Sequence, residues 1–202
     1  MLTLKRFRRI EAAVRAAGYG DSILWAETIA APVDAHAFAE AAVYVICNSG
    51  MRTTVALVIY DRCMGALRRG QSSATVFGHV GKAGAIDLIW NEREELFAAF
   101  NVADDKVAFC ATLPWIGPIT KNHLAKNFGV DTAKADVHLQ RLANVEKITA
   151  HKLCARLAAQ SGYRAATVDT ILWRACTEGI LDSKRYEANG WHGSFQPPNV
   201  AA

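Results

Sequence analysis

Several features that would place this chain in common protein classes are missing from its sequence. No apolar run approaches the roughly 20 residues that a membrane-spanning helix needs, so we expect no membrane partner. The N-terminal segment MLTLKRFRRIEAAVRAAG lacks the apolar core and the cleavage site of a secretory signal. The sequence therefore predicts an intracellular protein.

The cysteines have neither the number nor the spacing of a disulfide framework or a zinc site. None forms a C-x-x-C pair, and the five are Cys47, Cys63, Cys110, Cys154 and Cys176. An odd set of widely separated cysteines is typical of reduced, buried, small apolar residues in an intracellular protein. We therefore expect no zinc site.

Charge of one sign does not dominate either, since 23 Lys and Arg face 19 Asp and Glu for a net charge of +4. This mild excess permits a nucleic-acid partner without requiring one. The basic N-terminal segment has two interpretations, a targeting or membrane-surface helix and an ordinary packed helix. Leu4, Phe7, Ile10 and Val14 recur at helical spacing, which favours packing against a core.

No stretch sustains the period-two alternation of a strand, and alanine is abundant, so the sequence predicts an all-α fold. Asp34 is predicted to cap the third helix, and Asn91, with Glu94 three residues on, to cap a later one. The tail from Trp191 to Ala202 is predicted to end loosely. The predicted helices are Lys5–Ala17, Ile23–Ile29, Ala35–Cys47, Thr53–Met64, Ala83–Trp90, Arg93–Phe100, Asp105–Thr112, Thr120–Phe128, Val137–Leu142, Ala150–Ser161 and Val168–Glu178.

The most informative stretch runs from Leu113 to Leu142 and reads LPWIGPITKNHLAKNFGVDTAKADVHLQRL. It opens with a tight turn of apolar residues and glycine, followed by a helical segment that Gly129 ends. A loop then brings Asp136 to the start of the next helix. Exposed backbone N–H groups in such a turn can hold phosphates, and a carboxylate can stabilise a developing positive charge.

This stretch resembles the helix-hairpin-helix DNA glycosylase superfamily, which includes endonuclease III. The family hairpin reads L-P-G-V/I-G-x-x-T/S, and a catalytic aspartate follows in a segment like V-D-x-H-V/I/L-x-R. The matching residues are Leu113, Pro114, Ile116, Gly117 and Thr120, then Asp136, His138, Leu139 and Arg141. The chain departs from the family at Trp115, where the first hairpin glycine stands, and at Ile119, where strand-cleaving members carry a Schiff-base lysine.

Two further segments resemble the family, so that the likeness runs from about residue 35 to 142. The segment FGHVGKA, residues 77–83, resembles the loop that pushes a side chain into the duplex, which makes Phe77 and His79 candidate wedges. The segment VICNSGMR, residues 45–52, stands where the family has a turn that fills the space left by the flipped base. Asn48 and Ser49 are rough equivalents of its glutamine.

The resemblance implies two helical lobes flanking a DNA-binding cleft. Residues 35–129 would form a helical barrel lobe with the helix-hairpin-helix, and residues 1–34 with 130–202 the lobe that carries the catalytic aspartate. Several relatives hold an iron–sulfur cluster on four C-terminal cysteines. Only Cys154 and Cys176 follow Asp136, so we expect no such cluster and no required cofactor.

Asp136 is the predicted catalytic residue. Cleavage of an N-glycosidic bond builds positive charge on the deoxyribose, which a carboxylate stabilises while it orients or deprotonates a water. The position at a helix start also favours an ionised side chain. The alternative is an ordinary N-cap, and the hairpin at the family's spacing favours catalysis. His138 is expected either to support this helix or to be a packed or solvated histidine.

The hairpin is predicted to hold phosphates without reading sequence. The residues assigned to DNA binding are Trp115, Ile116, Gly117, Pro118, Ile119, Thr120 and Lys121. Further basic candidates are Lys126, Arg52, Arg68 and Arg69, and for each of them a solvated basic side chain is the default interpretation. By resemblance, the main-chain carbonyls of Ala111, Leu113 and Ile116 would bind a monovalent cation.

The flipped base needs a pocket, for which the candidate lining residues are Trp25, Tyr44, Asn48, Met51, Arg52 and Trp115. Aromatic side chains suit an electron-poor alkylated purine, whereas Asn48 suits a deaminated or oxidised base that needs hydrogen bonds to its edge. The sequence leaves these alternatives open.

Ile119 sets the predicted reaction, because isoleucine has no amine to attack C1′. We therefore expect a monofunctional DNA glycosylase, a cytoplasmic monomer associated with a bacterial nucleoid or otherwise intracellular. Its partner would be double-stranded DNA containing a damaged or modified base. Two alternatives remain, a glycosylase/lyase with a displaced lysine such as Lys134, and a non-catalytic helix-hairpin-helix DNA-binding protein.

Overall fold

The computed structural model describes residues 1–197 and shows an all-α protein, as the composition predicts. β pairing within these residues is confined to one isolated antiparallel bridge between Leu181 and Phe195. The twelve α-helices, numbered in chain order, are α1 Leu4–Ala16, α2 Gly20–Thr28, α3 Ala35–Asn48, α4 Thr53–Arg68, α5 Val80–Asn91, α6 Arg93–Val102, α7 Lys106–Cys110, α8 Thr120–Asn127, α9 Val137–Asn144, α10 Ala150–Ser161, α11 Ala165–Thr177 and α12 Ser183–Asn189.

The chain forms two compact units, and each has its own hydrophobic core. Unit 1 consists of residues 1–29 and 131–202, of which 198–202 are not described, and contains α1, α2 and α9–α12. Unit 2 consists of residues 30–130 and contains α3–α8. The boundaries predicted from the sequence, 34/35 and 129/130, lie five residues after and one residue before the observed ones.

The core of unit 1 buries the apolar face of α1. Phe7, Ile10 and Val14 are fully buried there together with Leu2. This packing is the second of the two interpretations of the basic N-terminal segment. Among residues 1–197, no helix combines the length and the apolar character that crossing a bilayer requires.

The core of unit 2 is built around the fully buried Phe38 of α3. Its ring stacks on Phe128 with the centroids 4.8 Å apart, and the rings of Phe100 and Phe109 pack beside it. Cys47, Cys63 and Cys110 are buried in unit 2 and Cys154 in unit 1, while Cys176 is half-buried. All five cysteines are free thiols, and four have the predicted buried environment.

The helix ends show where the sequence patterns succeed and fail. Asp34 caps α3 as predicted, since its Oδ1 accepts a hydrogen bond from the N–H of Ala37 at 2.7 Å. The prediction that Asn91 is an N-cap is wrong, because α5 continues through Asn91 and α6 begins two residues later. The capping pattern failed there because α6 follows α5 almost directly, so that Asn91 still belongs to the preceding helix.

The C-terminal segment contains α12, a helix that was not predicted. Asp182 caps it by accepting the N–H groups of Lys184 and Arg185, and Gly190 ends it. The first part of the predicted loose tail is held in place, because Phe195 pairs with Leu181 and its ring stacks on Trp191. The end of the predicted tail, residues 198–202, lies outside the described residues.

Gly129 occupies a position that tolerates no side chain. Its φ is +78°, and a Cβ added there would lie 2.6 Å from the carbonyl carbon of Ala30. Gly70 has a similar φ of +70° but open space around it. The two glycines therefore separate the effect of backbone conformation from that of close packing.

We expect Gly129→Ala to destabilise unit 2 more than Gly70→Ala. The left-handed conformation costs an L-residue about 1–2 kcal/mol, and this cost destabilises both variants. Backbone atoms cannot move aside as a flexible side chain can, so overlap with Ala30 adds about 1–3 kcal/mol in Gly129→Ala alone. Urea unfolding of the two variants measures the difference, and equal losses would show that the close approach to Ala30 has no energetic weight.

Glu11 is a buried carboxylate of unit 1 that pairs with two exposed arginines. It accepts hydrogen bonds from Arg8 at 2.7 Å, from Arg15 at 3.1 Å, and from the hydroxyl of Tyr163. Burial raises the pKa of Glu11, but the bonds from Tyr163, Arg8 and Arg15 together outweigh it and hold the pKa below its ordinary value. The folded state therefore prefers ionised Glu11 more strongly than the unfolded state does.

This preference predicts an acid-sensitive contribution to stability. The contribution is complete above the unfolded pKa of about 4.3 and is lost as the pH falls through the lower pKa of the folded state. Glu11→Gln should therefore unfold more easily than the unsubstituted protein at neutral pH, and the two should converge as the pH drops below 4.3. Thermal unfolding across this range tests the prediction. A stability difference that does not depend on pH would contradict it.

Candidate functional site

Asp136 is the N-cap of α9 in unit 1. Its Oδ1 accepts hydrogen bonds from the N–H groups of His138 at 2.9 Å and Leu139 at 3.0 Å. The residue is half-buried, and its Oδ2 has no hydrogen-bond partner within residues 1–197. One oxygen thus fixes the carboxylate to the helix while the other is available to an external group.

His138 connects α9 to α12. Its Nδ1 lies 2.9 Å from the hydroxyl of Ser183, which is buried at the start of α12. The contact holds His138 against the start of α12, which is compatible with support of α9 and with a packed histidine. The sequence analysis missed Ser183 because α12 is short and buries only one large apolar side chain, that of Tyr186.

A cleft of about 300 Å³ lies beside this contact, wholly within unit 1. Asp136 is not among its lining residues, which are His138, Arg141, Cys176, Gly179, Asp182, Ser183, Lys184 and Gln196. Burial raises the pKa of the Cys176 thiol to about 12, so this cysteine is protonated and unreactive at neutral pH. Cys176 is therefore not a candidate nucleophile in this cleft.

In unit 2, α7 and α8 pack against each other and are joined by the turn of residues 111–119. The turn is held by its own apolar residues, because Leu113 and Ile116 are buried in the unit 2 core. The N–H of Ile116 donates to the carbonyl of Leu113 at 3.2 Å. The N–H of Gly117 donates to Oγ1 of Thr120 at 2.7 Å, which closes the turn onto α8.

Trp115 has a φ of +64°, the left-handed conformation that glycine adopts without strain. Trp115 and Lys147 are the two non-glycine residues in the described part of the chain with positive φ. Glycine, the residue at this position in the family pattern, could adopt the same backbone conformation as Trp115. The conformation costs an L-residue about 1–2 kcal/mol, which the rest of the turn must offset.

The polar groups of the turn are not all available to a ligand. The N–H of Gly117 is occupied by Thr120, which corrects the expectation that Gly117 donates to a phosphate. Ile119 begins α8 without any side-chain cap, and within residues 1–197 the N–H groups of Trp115, Ile119 and Thr120 have no acceptor. These three groups are the donors that an anion can reach.

The three predicted carbonyl ligands have different partners. Within the described residues, the carbonyls of Ala111 and Ile116 accept no hydrogen bond, whereas that of Leu113 accepts one from the N–H of Ile116. A carbonyl has two lone pairs, so Leu113 retains the capacity to bind an ion. All three carbonyl oxygens therefore keep at least one lone pair that is not used by a backbone hydrogen bond within the described residues.

The predicted wedge loop reaches the turn of residues 48–51 through Lys82. This lysine is only 5% exposed, and its Nζ donates to the carbonyl of Ser49 at 2.6 Å, at the C-terminus of α3. Burial lowers the pKa of Lys82. The role of Lys82 was missed because the family resemblance marks its position without showing what it contacts.

The same loop reaches the hairpin through His79. This residue is exposed and caps α5, which begins three residues before its predicted start, by accepting the N–H of Lys82 at 3.3 Å. Its ring meets that of Trp115 edge to face, with the centroids 5.0 Å apart. Phe77 is half-buried against the unit 2 core, so His79 is the exposed member of the two predicted wedges.

The predicted pocket residues do not all lie in one unit. Trp25 is exposed on α2 of unit 1. Tyr44, Asn48 and Met51 are half-buried in unit 2, and the ring of Tyr44 packs edge to face on that of Tyr60. Arg52 is exposed at the start of α4.

The basic candidates near the hairpin differ in accessibility. Lys121 is half-buried, whereas Lys126 is only 7% exposed, which corrects the interpretation of Lys126 as a solvated basic side chain. Arg68 is paired with Glu40 at 2.6 Å. Lys121 thus remains the basic side chain of α8 that a phosphate can approach.

The structure therefore places the candidate carboxylate in unit 1, and the turn between α7 and α8, residues 77–83 and the 48–51 turn in unit 2. Within unit 2, contacts from His79 to Trp115 and from Lys82 to Ser49 join these three segments, which are far apart in sequence. No family model, curated protein or solved structure matches this chain.

Proposed function

We propose that this protein is a monofunctional DNA glycosylase that flips a damaged or modified base out of the duplex and hydrolyses its N-glycosidic bond. The observation that carries the proposal is the state of Asp136, whose Oδ1 is fixed by two main-chain N–H groups while Oδ2 has no partner in the described residues. A carboxylate held in this way needs no reorganisation as charge develops beside it.

The reaction assigned to Asp136 begins with departure of the base, which takes both electrons of the bond to C1′. Positive charge develops on the sugar, and the ionised carboxylate stabilises it. Water then adds to C1′ while Oδ2 accepts its proton. The proton on Oδ2 then passes to the departed base through the solvent, which regenerates the carboxylate and gives a free base and an abasic site.

Phosphate binding is assigned to the turn between α7 and α8. The free N–H groups of Ile119 and Thr120 lie at the uncapped start of α8, where the helix dipole favours an anion. Lys121 adds a positive charge in the first turn of that helix. The carbonyls of Ala111, Leu113 and Ile116 would hold a monovalent cation that adds charge to the same turn.

A non-catalytic DNA-binding protein is the second candidate, and one observation favours it. The two bonds that Oδ1 accepts are those of an ordinary N-cap, and Asp182 makes the same pair of bonds at α12. Capping alone would therefore account for Asp136. Only the chemistry of Oδ2 separates the two candidates.

We expect Asp136→Asn to abolish base release without unfolding the protein. Asparagine caps a helix about as well as aspartate, so the change in stability should stay below about 1 kcal/mol. Loss of the negative charge should slow base release at least about 100-fold. The substrates are duplexes that each carry one alkylated, deaminated, oxidised or hypermodified base, and the products are resolved after hot alkali.

Asp182→Asn is the matched control, since it changes an N-cap of the same geometry in the same unit. It should release the base at the rate of the unsubstituted protein. Equal loss of activity in both variants would assign the effect to helix capping. Tight DNA binding with no base released from any duplex would support the non-catalytic candidate.

The absence of an amine at position 119 predicts that strands break only after alkali. Ile119 is exposed at the hairpin, so Ile119→Lys can present an amine there without burying a charge. Borohydride should trap no covalent DNA adduct with the unsubstituted protein, and it should trap one with Ile119→Lys. An adduct with the unsubstituted protein would instead indicate a displaced lysine, which Lys121→Ala and Lys134→Ala would then locate.

A further inference from the structure

Trp115 combines two features that its packing alone does not explain. Its backbone is held in the left-handed conformation, with a φ of +64°, and its side chain remains 46% exposed. A residue that served only to shape the turn would be glycine, which adopts this φ without strain. Strained backbone with an exposed aromatic ring is a pattern found at ligand-binding positions.

The indole ring of Trp115 packs closely against the start of α5. A Cβ added to Gly81 would lie 2.5 Å from Cζ3 of Trp115, so the ring lies directly against the glycine backbone. The ring of His79 meets the indole edge to face. Gly81 and His79 thus restrict the rotation of a side chain that nearly half faces solvent.

The surroundings of the exposed ring suit a nucleotide. The N–H groups of Trp115, Ile119 and Thr120 are available in the same turn, and amides of this kind bind phosphate oxygens. No Asp or Glu occurs in residues 113–121 or 76–83, so neither segment carries a carboxylate that would repel DNA. An aromatic face beside unpaired amides and free of acidic groups can stack on a base while the amides hold its strand.

We propose that Trp115 is a base-stacking residue that receives the face of an unpaired nucleobase in the strand held by the hairpin. The inference rests on the proposed function to the extent that DNA is the ligand. Every base has a π face, so the contact favours unpaired over paired DNA without selecting sequence. Trp115 would thus raise the affinity for duplexes that contain an unstacked base.

The test compares the binding of two duplexes by the full-length protein, one with a single-nucleotide bulge and one fully paired. Trp115→Gly should weaken binding of the bulged duplex about 10-fold, within the range that removal of a stacked aromatic ring produces. Binding of the paired duplex should change less than about twofold. The melting temperature should stay within about 3 °C, because relief of backbone strain offsets the lost packing. Trp115→Phe should retain most of the preference.

Gly81→Ala provides a second variant that leaves Trp115 in place. The added methyl group displaces the indole from its packed position, so the preference for the bulged duplex should fall as it does in Trp115→Gly. Gly84→Ala, on the same helix with open space around it, is the matched control and should keep the preference. The tryptophan fluorescence should be quenched by the bulged duplex in the Gly84→Ala variant but less in Gly81→Ala.

The outcomes separate this inference from the proposed function. The stacking role alone would be overturned if Trp115→Gly bound each duplex with the same affinity as the unsubstituted protein and base release were intact. A large fall in melting temperature with proportionate loss of both affinities would also overturn it, since Trp115 would then be structural. A bulge preference that depends on Trp115 in a protein that releases no base would support stacking and reject hydrolysis. Failure to bind either duplex would overturn both.

Discussion

Both candidate sites depend on one constraint: the N–H groups at the start of a helix need hydrogen-bond acceptors. The first N–H groups of a helix have no partner within it and must find one elsewhere. Asp136 supplies that partner for α9 from its own side chain. Ile119 supplies none for α8, and the hydroxyl of Thr120 accepts the N–H of Gly117 in the preceding turn. One helix start thus fixes a carboxylate, and the other leaves amides open to an external anion.

Side-chain packing determines which groups of the turn between α7 and α8 can contact a ligand. Leu113 and Ile116 are buried and hold the turn, so that the strained conformation of Trp115 is supported by the core rather than by its own ring. The glycine at position 81 then lets the indole approach the start of α5. Because the indole contacts the backbone of Gly81, a side chain added there can move the exposed ring without altering the hydrogen bonds of the turn.

Local sequence patterns predicted the helical class, the Asp34 cap and the position of Asp136 at a helix start, because each depends on residues that are neighbours in the chain. They failed where distant contacts decide. The burial of Lys126 and the bond from Lys82 to Ser49 depend on how helices of unit 2 pack. The short α12 is held by the burial of Tyr186, a single residue that produces no periodic signal.

Capping and catalysis make compatible demands on Asp136. A cap needs one carboxylate oxygen directed at the helix amides, and stabilisation of a positive sugar needs a second oxygen that retains its charge. The bonds from His138 and Leu139 both fall on Oδ1. A neutral capping side chain such as asparagine would still accept the N–H groups of α9 but would carry no negative charge. Aspartate also caps α3 and α12, so its presence at position 136 does not by itself indicate chemistry, and the unpaired charge on Oδ2 is the feature that catalysis would use.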